Sequence, residues 1–249
     1  MTVYIVGAGP GDPELLTLKA LRLIREADVI LYDELVGDEI KEMLRRESRA
    51  ELIDVGKKAG THKKRQEEIN RLLVEYGKRF GKVVRLKGGD PFIFGRGGEE
   101  IEVLAENCIE FEVVPGVSSA IAGPAYAGIP VTHRKYDPAL VIITGREERE
   151  RLNWKALAEL NATIVILMGV GKLEENMKKL VENGKDPRTP AAIIEKATTK
   201  NQRVITGDIE SIAKIAKDEG VKPPSIIVVG NVVRIHEKVS ELLKNLTSG

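Results

Sequence analysis

The chain of 249 residues sets 39 Lys+Arg against 38 Asp+Glu, a formal net charge of +1. No global field therefore draws it to nucleic acid or a membrane surface, and any anionic ligand must be met by a local basic cluster. Cys108 is the single cysteine, which excludes an intrachain disulfide and a cysteine-built zinc or iron–sulfur centre.

His62, His133 and His236 are too dispersed to suggest a metal site, and none is expected. No apolar run reaches the length of a bilayer span, and the chain begins on a strand rather than a basic and apolar leader. The expectation is a cytoplasmic enzyme without a membrane partner.

In chain order, strand and helix patterns alternate, which predicts an α/β fold with mainly parallel strands in the first half. Residues 2–6 read as a buried strand, 15–27 as a helix, 29–32 as a strand, 38–46 as a helix and 51–55 as a short strand. An amphipathic helix follows at 65–76 with Ile69, Leu72 and Leu73 inward, then a strand at 82–86, a helix at 98–106 and a strand at 111–114. Residues 117–126 are rich in small side chains, which suits a helix packed close to another surface. A second block begins near Asp137-Pro138, with strands at 140–143, 163–167, 191–194, 203–205 and 225–229. Its helices fall at 154–160, 173–182, 209–217 and 237–246. The two consecutive strands around Asn201 predict a hairpin, hence a mixed second sheet.

Two strands run straight into glycine-rich segments, Gly7-Ala8-Gly9-Pro10-Gly11-Asp12-Pro13 and Gly88-Gly89-Asp90-Pro91. Glycine lets the main chain approach a ligand closely, and in open α/β sheets ligands bind outside the carboxyl ends of strands. Two such edges point to one extended, nucleoside-like cofactor. The first segment invites a dinucleotide reading, with Asp33 standing where a ribose-binding acid would follow. However, its spacing is Gly7-x-Gly9-x-Gly11 rather than G-x-G-x-x-G, and Pro10 and Pro13 remove backbone donors that a pyrophosphate needs. In the second segment Asp90 can accept from a hydroxyl or an amine, although Gly-Asp-Pro is also ordinary turn chemistry. Lys57, Lys58, Lys63, Lys64 and Arg65 fall within nine residues that contain no acid, which reads either as a solvated basic loop or as a site for a polycarboxylate.

Six separated motifs in order carry a resemblance over nearly the whole chain. They are the first glycine segment through Thr17, then Tyr32-Asp33-Glu34-Leu35-Val36, then Gly56-Lys57-Lys58-Ala59-Gly60. After these come Arg85-Leu86-Lys87-Gly88-Gly89-Asp90-Pro91-Phe92-Ile93-Phe94-Gly95-Arg96, then Pro115-Gly116-Val117-Ser118-Ser119, and finally Gly128-Ile129-Pro130-Val131-Thr132-His133-Arg134. The chain resembles the tetrapyrrole methylases that use S-adenosylmethionine, and within them the uroporphyrinogen-III C-methyltransferase branch.

The resemblance implies a pair of α/β domains of non-Rossmann type, at 1–115 and 116–249, with the active site in the cleft between them. It also implies a homodimer. S-adenosylmethionine would be the methyl donor and S-adenosylhomocysteine the product. The cofactor contacts implied are Pro10, Gly88, Gly89, Asp90, Ile93, Ser118, Ser119, Met168 and Ala197. The tetrapyrrole would meet Lys58, Lys63, Lys64, Arg65, Arg96 and Arg134, with arginines pairing its carboxylates. Asp33 would be the proton acceptor and Lys57 the proton donor; it stays open whether Asp33 only bonds a pyrrole N–H and Lys57 only neutralises an acidic arm of the substrate. A corrin-ring methyltransferase, a diphthine synthase, a nucleoside-sensing domain and a dinucleotide-dependent oxidoreductase are the competing readings.

Overall fold

The computed structural model describes residues 1–56, 66–147, 149 and 151–247. They divide into two compact units, Met1–Ser119 and Ala120–Gly249.

The first unit runs β1 (Thr2–Gly7), α1 (Leu18–Glu26), β2 (Val29–Tyr32), α2 (Asp38–Glu47), β3 (Glu51–Asp54), α3 (Gln66–Arg79), β4 (Lys82–Lys87), α4 (Gly97–Glu106) and β5 (Glu110–Val114). The strands form one parallel sheet in the order β3-β2-β4-β1-β5. Strand alternation sends Val6, Ile30, Val84 and Leu86 to one face, under Ala20, Leu23 and Ile24 of α1 and Ile40, Met43 and Leu44 of α2. Val3, Ile5, Val29, Leu31 and Val83 go to the other, under Ile69 and Leu73 of α3 and Leu104 of α4. The connection leaving β1 therefore covers one face and the connection leaving β4 the opposite face, although β1 and β4 are neighbours. Such a reversal opens a crevice at the carboxyl ends of the two strands, where both glycine segments lie.

The helix expected at 15–27 is two elements. Asp12 caps a single 3-10 turn, Pro13–Leu15, and Leu16 and Thr17 are extended before Thr17 caps α1 by accepting from Ala20 N–H at 3.1 Å. Proline fits that first turn because its missing N–H has no partner there, and the turn then breaks where Thr17 offers a better cap.

The second unit opens with α5 (Ser119–Tyr126), whose first residue is the last of the first unit. It contains β6 (Ala139–Thr144), α6 (Trp154–Glu159), β7 (Ala162–Leu167), α7 (Leu173–Glu182), β8 (Pro190–Glu195), β9 (Arg203–Asp208), α8 (Ile212–Asp218), β10 (Ser225–Val229) and α9 (Val233–Thr247). The sheet order is β6-β7-β10-β8-β9; β6 and β7 are parallel and every other pair antiparallel, so the expected hairpin and mixed sheet are present. One face is covered by Trp154, Leu157, Leu173, Met177, Leu180 and Ile212, the other by Ala120, Ala127, Ile129, Val232 and Val233. The small residues of α5 have a packing cause: a Cβ on Gly123 would collide with Ile226 and stand 3.2 Å from Ala197 Cβ. The strand expected at 203–205 runs on to Asp208, and α8 starts three residues later than 209 because Asp208 and Ser211 close a hydrogen-bonded turn between them. The final helix begins four residues earlier than 237.

Candidate active site

The loops leaving β1, β4 and β5 are knitted together by main chain. Gly9 and Gly89 form an antiparallel bridge, with Gly9 N–H donating to Gly89 O at 3.2 Å and Gly89 N–H donating to Gly9 O at 2.7 Å. Gly7 and Gly116 are in contact: a Cβ on Gly7 would lie 2.5 Å from Gly116 Cα and 2.7 Å from Gly89 O. These glycines are demanded by loop-on-loop packing. Gly88 has a similar cause, since a Cβ there would stand 2.7 Å from Leu35 Cβ and 2.8 Å from Leu35 O. Gly89 differs. Its φ is +69°, and a Cβ would point into space whose nearest atom is the Ser119 amide nitrogen at 3.9 Å. Of the Gly-Gly pair expected to admit a ligand, Gly88 admits Leu35, and Gly89 faces open space beside the start of α5.

Asp90 clamps the loops. One carboxylate oxygen accepts from Phe92 N–H at 2.9 Å and the other from Gly116 N–H at 3.1 Å, joining the β4 loop to the β5 loop. Asp90 is thus already engaged with its own backbone, not free for a hydroxyl; each oxygen keeps a second lone pair for a ligand donor. Pro10, Ser118 and Ser119 are half-buried on the surrounding loops, and Phe92, Ile93 and Phe94 are exposed. Phe94 and Arg96 both hold left-handed backbone, φ +53° and +58°, a conformation that costs energy in a residue with a Cβ and often marks functional loops.

Beneath this surface lies a buried charge cluster. Arg85 and Lys87 alternate with Val84 and Leu86 along β4, so both point to the face under α3 and α4, and Asp33 leaves β2 on that side. Arg85 Nε and Lys87 Nζ donate to the same oxygen of Glu100, Oε1, at 3.0 and 3.1 Å, and Gln66 Nε2 adds a third donor at 3.3 Å. Arg85 Nη2 donates to Asp33 Oδ2 at 3.2 Å. The Arg85, Lys87 and Glu100 side chains are 2%, 4% and 0% exposed, against 24% for Asp33, so Asp33 is the member of the cluster that solvent reaches. Removal from water, with the Arg85 charge nearby, holds the Lys87 ammonium below the ordinary lysine range. Two carboxylate atoms, Asp33 Oδ1 and Glu100 Oε2, are buried with no hydrogen-bond partner among the described residues. In the sequence Arg85 and Lys87 stand only as motif letters, and Glu100 is not singled out. The signal was available: two cations at alternate positions of a strand otherwise made of Val and Leu require buried partners.

The structure thus groups Asp33 with Arg85, and Gly89 with Gly9, Asp90 and Ser119. Arg96 is exposed and pairs in bidentate fashion with Glu99 at 2.8 and 2.6 Å, a partner the substrate reading had not given it. Lys57, Lys58, Lys63, Lys64 and Arg65 lie outside the described residues. In the second unit Met168 (φ +57°) is half exposed at the end of β7. Ala197 is buried between left-handed Lys196 and Thr198, and Arg134 is exposed.

A family model of the tetrapyrrole (corrin/porphyrin) methylases matches residues 2–213. The S-adenosyl-L-methionine-dependent uroporphyrinogen III methyltransferase of Methanosarcina barkeri is 54% identical over 243 residues, which is 96% of this chain and 94% of the relative. The siroheme synthase of Pseudoalteromonas translucida is 48% identical over 95% of this chain but only 50% of its own length, so the chain spans about half of that longer relative. Among solved structures, uroporphyrin-III C-methyl transferase from Thermus thermophilus complexed with S-adenyl homocysteine is 41% identical, with a TM-score of 0.79 and coverage of 94% of each chain.

Proposed function

The chain belongs to the tetrapyrrole methylases, and on that premise we propose that it is an S-adenosylmethionine-dependent C-methyltransferase. Its substrate is uroporphyrinogen III, methylated twice, at ring positions two and seven, to precorrin-2 for siroheme and cobalamin synthesis. The observation that carries this reading is the Gly9–Gly89 bridge, with the open side of Gly89 next to the Ser119 amide. Main-chain groups held by main-chain partners make a rigid cradle, and the absence of a Cβ at Gly89 leaves the space a nucleoside-bearing cofactor needs. When bound, S-adenosylmethionine supplies an electrophilic methyl group. The cofactor set is Pro10, Gly88, Gly89, Asp90, Ile93, Ser118 and Ser119 from the first unit and Met168 and Ala197 from the second. Gly88 belongs to it through its backbone, since Leu35 fills its side-chain direction.

The protein's own work is alignment and proton handling. Asp33 is the partly exposed carboxylate of the charge cluster and takes the proton that the methylated ring must lose. Lys57 serves as donor, and Lys58, Lys63, Lys64 and Arg65 with Arg96 and Arg134 meet the carboxylate arms of the substrate. Arg96 would exchange part of its pairing with Glu99 for a substrate carboxylate, because an exposed ion pair of that kind is worth little in water. No helix among the described residues is long and apolar enough to cross a membrane, and a cytoplasmic homodimer is part of the proposal.

Incubation with S-adenosylmethionine and uroporphyrinogen III, read by product mass and absorbance, tests it. The expected product carries two added methyl groups. An unmodified macrocycle, with methylation of a later corrin intermediate instead, replaces the substrate assignment while leaving the cofactor assignment intact.

A further inference from the structure

We propose that Arg85 is the positioning residue of Asp33: it sets the orientation of the carboxylate that meets the substrate, and Glu100 sets Arg85. The inference rests on the reading of Asp33 as a substrate-facing group. Arg85 is 2% exposed and occupied along its whole head. Nε donates to Glu100 Oε1 at 3.0 Å, Nη1 donates to Leu86 O at 3.1 Å and Leu31 O at 3.4 Å, and Nη2 donates to Asp33 Oδ2 at 3.2 Å. A planar fork tied to α4, β2 and β4 at once cannot swing.

Asp33 has no comparable hold of its own. It follows the last residue of β2, and its Oδ1 finds no donor among the described residues. The Arg85 contact is then what selects one rotamer of the carboxylate. The cluster sets two cationic side chains, Arg85 and Lys87, against two carboxyl side chains, Glu100 and Asp33. Lys87 matters here because it shares Glu100 Oε1: it offsets the charge without competing for Asp33.

A lysine at position 85 keeps the charge but offers a single point of attachment, so it satisfies Glu100 or Asp33 and not both. Arg85→Lys should lower the single-turnover methyl-transfer rate, with substrate and cofactor saturating, by roughly tenfold to a hundredfold, the scale of a small misplacement of a reacting group. S-adenosylhomocysteine affinity should stay at the wild-type value. The decisive readout is the double-mutant cycle with Asp33→Asn. If Arg85 acts through Asp33, the pair loses no more rate than Asp33→Asn alone; a merely structural Arg85 gives losses that multiply. Where Arg85→Lys fails to melt cooperatively, Glu100→Gln, which weakens the anchor on Nε, takes its place in the same cycle.

Multiplying losses, or an unchanged rate in Arg85→Lys beside a slow Asp33→Asn, overturn the positioning role alone. A near-wild-type rate in Asp33→Asn overturns the reading of Asp33 on which it stands.

Discussion

Gly9 and Gly89 exchange both main-chain hydrogen bonds across two loops that are 80 positions apart in sequence and lie on adjacent strands. The bridge holds the two segments as a short extra rung beyond the carboxyl ends of β1 and β4. It also divides the labour of the Gly-Gly pair, because Gly88 is closed off by Leu35 whereas Gly89 is left-handed and open. Gly89→Val should therefore abolish binding of S-adenosylhomocysteine in calorimetry. The branched side chain enters the cradle, and the left-handed backbone adds about 1–2 kcal/mol of strain. Gly88→Ala should act differently, lowering the melting temperature through overpacking against Leu35, at a cost of roughly 1–3 kcal/mol. Unchanged affinity in Gly89→Val removes Gly89 from the site.

Asp33→Asn separates chemistry from orientation. The amide keeps the size of the carboxylate and can still accept from Arg85, but it has no basicity. If Asp33 accepts the proton, the single-turnover rate falls by about a hundredfold to ten-thousandfold while cofactor affinity and melting are retained. If Asp33 only orients the macrocycle, substrate affinity falls instead and the saturated rate changes little.

The contrast between Gly89 and Arg85 shows what was legible in the sequence. Both glycine segments, the alternating elements and the mixed second sheet follow from local patterns: glycine after a strand, period-two burial, two strands with a short turn at Asn201. What local pattern does not carry is the partner. Gly7 reads as a ligand-facing glycine and Gly116 only as part of a motif, yet each excludes a Cβ because the other lies against it. Arg85 and Glu100 are separated by a loop and a helical turn, and only the register of β2 against β4, with Leu31 opposite Arg85, brings Asp33 within reach of the guanidinium. The element ends that moved at Thr17 and Asp208 did so because a capping side chain or a turn outweighed the hydrophobic periodicity. Helix ends are where those small terms decide.

The basic run at 57–65 carries a prediction from charge alone. Replacing Lys63, Lys64 and Arg65 together by Ala should weaken tetrapyrrole binding more at low salt than at high salt, since exposed charges are screened over ~8 Å at physiological ionic strength. Cofactor affinity should hold. A triple variant that keeps wild-type substrate affinity at low salt marks the run as a solvated surface, and the carboxylate arms must then be met elsewhere.

Lys87 yields a pH dependence of stability whose sign follows from burial. Desolvation, followed by the Arg85 charge, lowers its folded-state value beneath the 10.5 of an ordinary lysine. Between that lowered value and 10.5 the unfolded chain holds the proton that the folded chain has released, so the Lys87 contribution to stability rises with pH across the interval. Below the interval the group is charged in both states and contributes no slope. Lys87→Met keeps most of the stem's packing and has nothing to titrate. Denaturant midpoints of wild type and Lys87→Met, measured side by side, should therefore move in favour of wild type as pH climbs toward 10.5, because the other titrating groups are common to both chains. The comparison is most direct with Arg85 and Glu100 intact, since their ion pair at 3.0 Å keeps the pocket closed around the substituted side chain. Parallel curves would mean that Lys87 keeps its proton as tightly folded as unfolded, and that Glu100 offsets the full cost of burying it.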